Sequence, residues 1–486
     1  VSGADLDHDR LSSPQGNVTG LGIIASYSAR FWSLVIGLGV ISGLAAAALV
    51  GLLRLAERLS YGVHRPTLLA AVDAAPSWRR IVALLLAAGI VTVGLRVLGR
   101  ASTGGTEVTE AIWLRSGKLD FVHSLARGVL SIITVGMGVS LGREAGPQLA
   151  GAAFASRAAE WAKLPVWQRR LLVASGAGAG FAAVYNVPLG GTLLALEVML
   201  GTLALPLVLP ALLMSVTATA VAWIFLGDHP IYHVGAVSFH PSQLVFAILM
   251  GPIIGLVATG WTRLIAAANR ARPNRARPKR AGRWLAPAAA FMALGLLSLQ
   301  YPQLLGNGRG IVQLGIAGNI SLGLLVMLLL LKPLVTAACI ASGSPGGLFT
   351  PTFAVGVLLA GVGGALWTHV WHGSLPEAYA LIGGGAFLAA AMQGPLAGTV
   401  LVLELTRHFD ALMVPTLVAV VEATVLSRKL RATSIYSARL ASGAVLASSP
   451  SANAASVATI YALDEALPAD FTRRPEQGVD ETESRR

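Results

Sequence analysis

The chain has 486 residues, of which 55% are hydrophobic and only 12% charged, and a formal net charge of +13. A soluble domain carries roughly a quarter charged residues, so this composition excludes an ordinary soluble enzyme or scaffold and indicates a polytopic membrane protein. The single Cys339 excludes an internal disulfide framework, and no Cys/His cluster has zinc spacing, so redox chemistry, a metal or another cofactor is not expected.

The first 27 residues are polar and contain no small-residue cleavage site after a short apolar core, so no cleaved signal peptide is expected. The Asn-Val-Thr sequon within them reads as chance. FWSLVIGLGVISGLAAAALVGLL, Phe31 to Leu53, exceeds the roughly 20 residues that a spanning helix needs. Gly39 and Gly43 within it have the GxxxG spacing that lets helices pack closely. IVALLLAAGIVTVGL, Ile81 to Leu95, is at the short end for a span. Many later tracts are broken by some of the chain's 55 Gly and 24 Pro. Irregular backbone is not tolerated against lipid, so broken segments must be buried in protein or line a cavity.

LGREAGPQLAG, Leu141 to Gly151, places Arg143 and Glu144 among small and apolar neighbours. A glycine turn followed by Pro147 reads as a helix start, because proline suits the first turn. The same holds for GGLFTPTFAVGVLLAG from Gly346. Both are helix N-termini placed within the membrane, where unpaired N–H groups and the helix dipole favour negative charge. Such ends pointing together make an anion site without a full positive charge, and conduction requires binding weak enough to release. Two readings of Glu144 stand side by side. Its carboxylate occupies the anion site when ionised and vacates it when protonated, or it caps its own helix or pairs with Arg143. Adjacent residues do not face each other on a helix, which weakens the pairing version.

NVPLGGTLLALEVM, from Asn186, is echoed by QGPLAGTVLVLELT, from Gln393, with Pro188 matching Pro395 and Glu197 matching Glu404. Each follows a glycine-rich stretch, and GREAGP has its counterpart in GGLFTP. Two homologous halves follow, residues 28–228 and 229–446, between a polar segment 1–27 and a tail 447–486 that is charged, poor in apolar residues and expected to be mobile. The tail is too short for a second folded domain. Gly/Pro-interrupted segments at matching places in two halves point to a transport site at their interface. In a loop between two apolar tracts of the second half, eight Arg/Lys lie from Arg263 to Arg283 with no aromatic residue until Trp284 to stack on bases. They read as a cytoplasmic loop obeying the positive-inside bias, not as a nucleic-acid surface.

Four pieces carry a resemblance to the CLC chloride channel and transporter family over nearly the whole membrane portion: LGREAGP, GSPGGLFTP, the paired NVPLGGTLLALE and QGPLAGTVLVLE, and SIYSARL from Ser434 to Leu440. The resemblance implies an all-α integral membrane protein of two inverted-topology halves of tilted and broken helices. It implies a homodimer in a bilayer, a bacterial inner membrane being expected, with chloride or a similar small anion as substrate and one anion pathway per subunit. Glu144 matches the gating glutamate. Gly142, Arg143 and Gly347 flank the anion, Leu348 and Phe349 match the pair whose backbone N–H groups face it, and Tyr436 matches a tyrosine whose hydroxyl donates to it. A phenol is indeed a donor without charge; without the resemblance, Tyr436 reads as an interfacial anchor. Arg127 falls where the family often has a buried basic residue.

Three places depart from the family pattern. Glu144 is separated from Gly146 and Pro147 by an additional Ala145. STGGTEVTEAIW, Ser102 to Trp113, stands where an anion-binding serine is usual, with Gly104 at that position, Thr103 beside it and Glu107 in place of a proline; a backbone N–H at Gly104 or the Thr103 hydroxyl is expected to bind the anion in the serine's stead. The inner proton site of the proton-coupled members falls on Val198, which cannot carry a proton. Val198 tips the expectation slightly toward a passive channel gated by Glu144, with a chloride/proton exchanger as the close alternative and Glu107 as an acid that could serve it. A membrane-embedded enzyme is a remote alternative, since the nine His residues form no HExxH or comparable set. His369, His372 and His408 read as interface positions.

Overall fold

A computed structural model of the protein describes residues 27–62, 67–101, 107–235, 237–272, 282–318, 320–373, 375–407 and 412–439. The polar segment 1–27 except its last residue, the tail 447–486, Thr103, Gly104 and His408 lie outside the described residues. The described part is helical. In the first half α1 is Ala29–Tyr61, α2 Leu68–Ala74, α3 Ser77–Ala101, α4 Val108–Leu114, α5 Phe121–Gly136, α6 Ala145–Trp161, α7 Val166–Tyr185, α8 Pro188–Leu193 and α9 Leu205–Leu226. In the second, α10 is Pro241–Arg270, α11 Gly282–Gln300, α12 Arg309–Ile316, α13 Leu322–Ala341, α14 Phe349–Val370, α15 Pro376–Met392, α16 Pro395–Thr406 and α17 Met413–Lys429. Six of them, α1, α3, α9, α10, α13 and α14, are long and apolar enough to cross a bilayer; the remaining helices are shorter or interrupted.

Local chemistry sets the ends. Ser28 caps α1, its hydroxyl accepting from the Phe31 N–H at 3.2 Å, and Gly62 ends it with φ of 72°. Gly39 and Gly43 lie against α9, where an added Cβ would press on Met214, Thr217, Ala218 and Val221, so the GxxxG spacing does bring two helices together. The two repeated segments break their helices in the same way. Asn186 ends α7 and Gln393 ends α15, both in the left-handed region, and Pro188 and Pro395 restart the chain two residues later. After α8 the backbone widens into a π turn, Leu194–Leu200.

The core lies where the broken segments meet. From Leu171 to Tyr185, α7 is buried without interruption, and α15 is buried from Ala378 to Met392. Helices that are apolar all round have no lipid face and must be enclosed by protein. Around them, α6 packs on α7 and α14 on α15, which brings the N-termini of α6 and α14 to the middle of the molecule.

Candidate functional site

The two segments leading into α6 and α14 run antiparallel and are clasped to each other. The Gly142 N–H donates to the Gly347 carbonyl and the Gly347 N–H donates back to the Gly142 carbonyl, both at 2.8 Å. An added Cβ at either glycine would collide with the Glu144 carboxylate, so a side chain here would push the carboxylate from its place. That is the close approach for which glycine is used.

Glu144 is 1% exposed and makes no cap bond to its own helix. Its carboxylate is instead turned across the clasp onto the other helix. Oε1 accepts from the Phe349 N–H at 2.7 Å, the first N–H of α14, and Oε2 accepts from the Tyr185 hydroxyl at 3.1 Å. A Tyr185–Thr350 hydroxyl pair at 2.6 Å continues the chain of bonds. A carboxylate on a helix N-terminus gains from both the unpaired N–H groups and the dipole. Arg143 does not pair with its neighbour. Its guanidinium lies over the Tyr185 ring, 4.9 Å from the centroid, an arrangement in which the ring face attracts the cation. The Phe349 ring packs edge-on against Phe181, centroids 4.8 Å apart, fixing the backbone that holds the carboxylate.

Two cavities meet the clasp. A tight one of about 30 Å³ is lined by Glu144, Leu348, Tyr436, Gln148, Glu107 and Arg439, among others. Ser131 Oγ, Gln148 Nε2 and the Tyr436 hydroxyl are buried there, the last two facing each other, so the wall carries neutral donors. A wide cavity of about 520 Å³ is lined by Arg54, Glu57, Arg58, Arg143, Gln303 and Arg309 among others. The cavities lie toward opposite ends of α10. His233, shortly before α10, lines the wide one, whereas Asn269 at the far end of α10 donates to the carbonyl of Arg439, a wall residue of the tight one, at 3.0 Å. The tight cavity is therefore on the side where α10 ends at Arg270, which the positive-inside reading of the sequence expects to be cytoplasmic.

The structure thus brings Gly142, Glu144, Gly347, Leu348, Phe349 and Tyr436 to one place, and turns Arg143 to the outward cavity. Ala145 forms the first residue of α6 and lines the tight cavity with its neighbours. Arg127 also lines that cavity. Val198 packs in the π turn beside Gly394 and does not line it. Its neighbour Glu197 is engaged elsewhere, accepting from the Leu396 and Ala397 N–H groups at 3.2 and 2.6 Å, while Glu404 accepts from those of Leu189 and Gly190 at 3.0 and 2.6 Å. Each repeat's glutamate caps the other repeat's broken helix. Outside the spans, Asp228 accepts from Asn186 Nδ2 at 3.0 Å and pairs with Arg407; that amide and guanidinium hold its carboxyl below the usual carboxylate range.

Sequence reasoning missed several residues. Tyr185 stands directly before the Asn186 break, but nothing marks it as a donor to Glu144. Arg439 lies inside SIYSARL and was passed over for Tyr436. It donates to the Gly346 carbonyl at 3.0 Å and pairs with Glu107 at 2.9 Å. Lys332, fully buried, donates to Ser140 Oγ and to the carbonyls of Leu304 and Gly306 at 2.8 to 3.2 Å. A lysine within an apolar tract was the available signal.

Comparison with known proteins agrees with this geometry. The model of the voltage gated chloride channel family matches residues 85–428. The Salmonella typhimurium protein named voltage-gated ClC-type chloride channel ClcB is 31% identical over 407 residues, covering 82% of this chain and 96% of that protein. The Cronobacter sakazakii protein named H(+)/Cl(-) exchange transporter ClcA is 33% identical over 320 residues, covering 63% and 67%. Among solved structures, a slow cyanobacterial Cl-/H+ antiporter superposes with a TM-score of 0.73 at 22% identity, over 85% of this chain and 97% of that one. A CLC-type fluoride/proton antiporter does so with 0.66 at 22%, over 84% and 97%. Broken helices meeting at a clasped pair of N-termini, and matches over most of the chain, make this an integral membrane protein of the voltage gated chloride channel (CLC) family.

Proposed function

We propose that the protein exchanges chloride for protons across the bilayer, as a homodimer with one pathway in each subunit, and that Glu144 is the group on which the two ions meet. The observation that carries this reading is the Glu144 carboxylate bonded to the Phe349 N–H at 2.7 Å. There a negatively charged side chain takes the position that suits an anion, between a cavity toward one end of α10 and a cavity toward the other. For an anion to pass, the carboxylate must leave those donors, and a proton removes the charge that holds it there. Anion passage and protonation are then alternatives at one set of N–H and O–H groups, which is the condition for exchange. The absence of an acid at Val198 favoured a passive channel from sequence; the seated carboxylate and relatives named as exchange transporters favour the exchanger.

Neutral donors suit the task. At the Glu144 seat itself the Phe349 N–H, the Tyr436 hydroxyl and the Gln148 amide attract an anion without a full charge, while the Arg439 and Arg127 guanidinium groups of the same cavity are paired with Glu107, so binding stays weak enough for release. The test is efflux from chloride-loaded liposomes with simultaneous pH recording. Proton uptake is expected to track chloride exit at a fixed ratio; chloride exit with no linked proton movement would establish the channel instead.

A further inference from the structure

The tight cavity has a second carboxylate. Among the described residues lining it, the only acids are Glu144 and Glu107. Glu107 stands at the start of α4 and makes no cap bond there. Its Oε1 pairs with Arg439 Nη2 at 2.9 Å and lies 3.6 Å from Arg127 Nη2, and its side chain keeps 24% of its surface. Further charged or titratable groups around it are Arg272, Tyr436 and, across the cavity, Glu144. Arg439 ties this cluster to the clasp through the Gly346 carbonyl at 3.0 Å. Because Asn269, at the end of α10 beside the basic run, holds the backbone of Arg439, Glu107 lies on the cytoplasmic side of Glu144. The acid at the inner end is therefore on the wall of the anion cavity itself.

We propose that Glu107 is the inner proton-transfer group of the exchange cycle, and that the ion entering the cavity regulates it by competing for Arg439 and Arg127. The inference rests on the exchanger reading above. The carboxylate is held by the two guanidinium groups. An anion arriving in the cavity is a second claimant for the same donors, and one that binds them frees the carboxylate. The transfer itself is a proton movement through water in the shared cavity. The O–H bond of the Glu144 carboxyl breaks, leaving a carboxylate there, an O–H bond forms on Glu107, and Glu107 then releases the proton to water on the cytoplasmic face. Arg439 and Arg127 thus link anion arrival to proton acceptance, a task for which Val198, which does not line this cavity, is not placed.

The experiment is Glu107→Gln in chloride-loaded liposomes, both ions recorded, beside the wild type. Chloride is expected still to leave the liposomes at a measurable rate, with the proton-to-chloride ratio reduced at least tenfold. A wild-type ratio in Glu107→Gln overturns the inference while leaving the exchanger reading intact. A wild type that moves no protons overturns the exchanger reading, and the inference with it. Should Glu107→Gln not fold, Glu107→Asp keeps the charge and shortens the side chain by one methylene. Its proton-to-chloride ratio is expected to fall while chloride still moves, and an unchanged ratio overturns the proposal. A role confined to holding α4 in place would lower both fluxes together.

Discussion

Glu144 is held by one backbone N–H and one phenol, neither of which carries a charge. Hydrogen bonds to an ionised acceptor are worth about 1.5–3 kcal/mol each, so the seat is firm for a carboxylate and much weaker for a neutral group of the same shape. Glu144→Gln is therefore expected to transport anion at least as fast as the wild type, with no linked proton movement and a flat pH profile, measured in the same liposomes. Failure of the variant to fold, judged by size-exclusion chromatography, would instead make Glu144 a structural cap. At this scale the sequence was partly legible. An acid among glycines and alanines is conspicuous whatever it does, and its competition with an anion follows from elementary electrostatics. Which helix receives its carboxylate was not legible, because that depends on the Gly142–Gly347 clasp, made between residues some 200 positions apart. Arg439 and Tyr185 were missed for a related reason: their roles come from their partners, not from their type.

Helix ends, more than helix faces, hold the elements of this fold in register. The segments Asn186–Pro188 and Gln393–Pro395 are the same device used twice, a left-handed residue followed by a proline, and each restarted helix needs an acceptor for its first N–H groups. Glu404 supplies it for α8 and Glu197 for α16, so the halves are fastened by an exchange of carboxylates. Glu404→Ala leaves the Leu189 and Gly190 N–H groups without that acceptor. It is expected to cost about 1–3 kcal/mol, seen as a lower thermal midpoint in detergent. An unchanged midpoint would mean that other acceptors replace the carboxylate. Proline and glycine made the repeat visible in the sequence, since both leave a mark wherever a helix stops. The π turn Leu194–Leu200 and the reciprocity of the caps left none, because each needs the other half already in place.

At the scale of the molecule, two cavities of unequal size face each other across one side chain, and a single chain contains both. The outward cavity is walled by Arg54, Arg58, Arg143 and Arg309 against the single acid Glu57, an excess of positive charge that concentrates anions near the mouth. A pathway complete within one chain predicts that pairing leaves transport additive. The protein in detergent is expected to have about twice the 50.1 kDa of one chain, and mixed dimers of wild-type and Glu144→Gln subunits should show the sum of the two behaviours. Cross-inhibition between unlike subunits would contradict independent pathways. The clasp between Gly142 and Gly347 has a further consequence for how such a protein can change. Its two hydrogen bonds are made by main-chain atoms, so replacing a side chain deletes neither of them. At the two glycines themselves a substitution presses a Cβ onto the Glu144 carboxylate, so the spacing of the passage at that point has little room to vary. Preference among ions, speed and coupling must be altered in the ring of side chains around it, Glu144, Gln148, Tyr436 and the Glu107–Arg439 pair, where a single codon is enough.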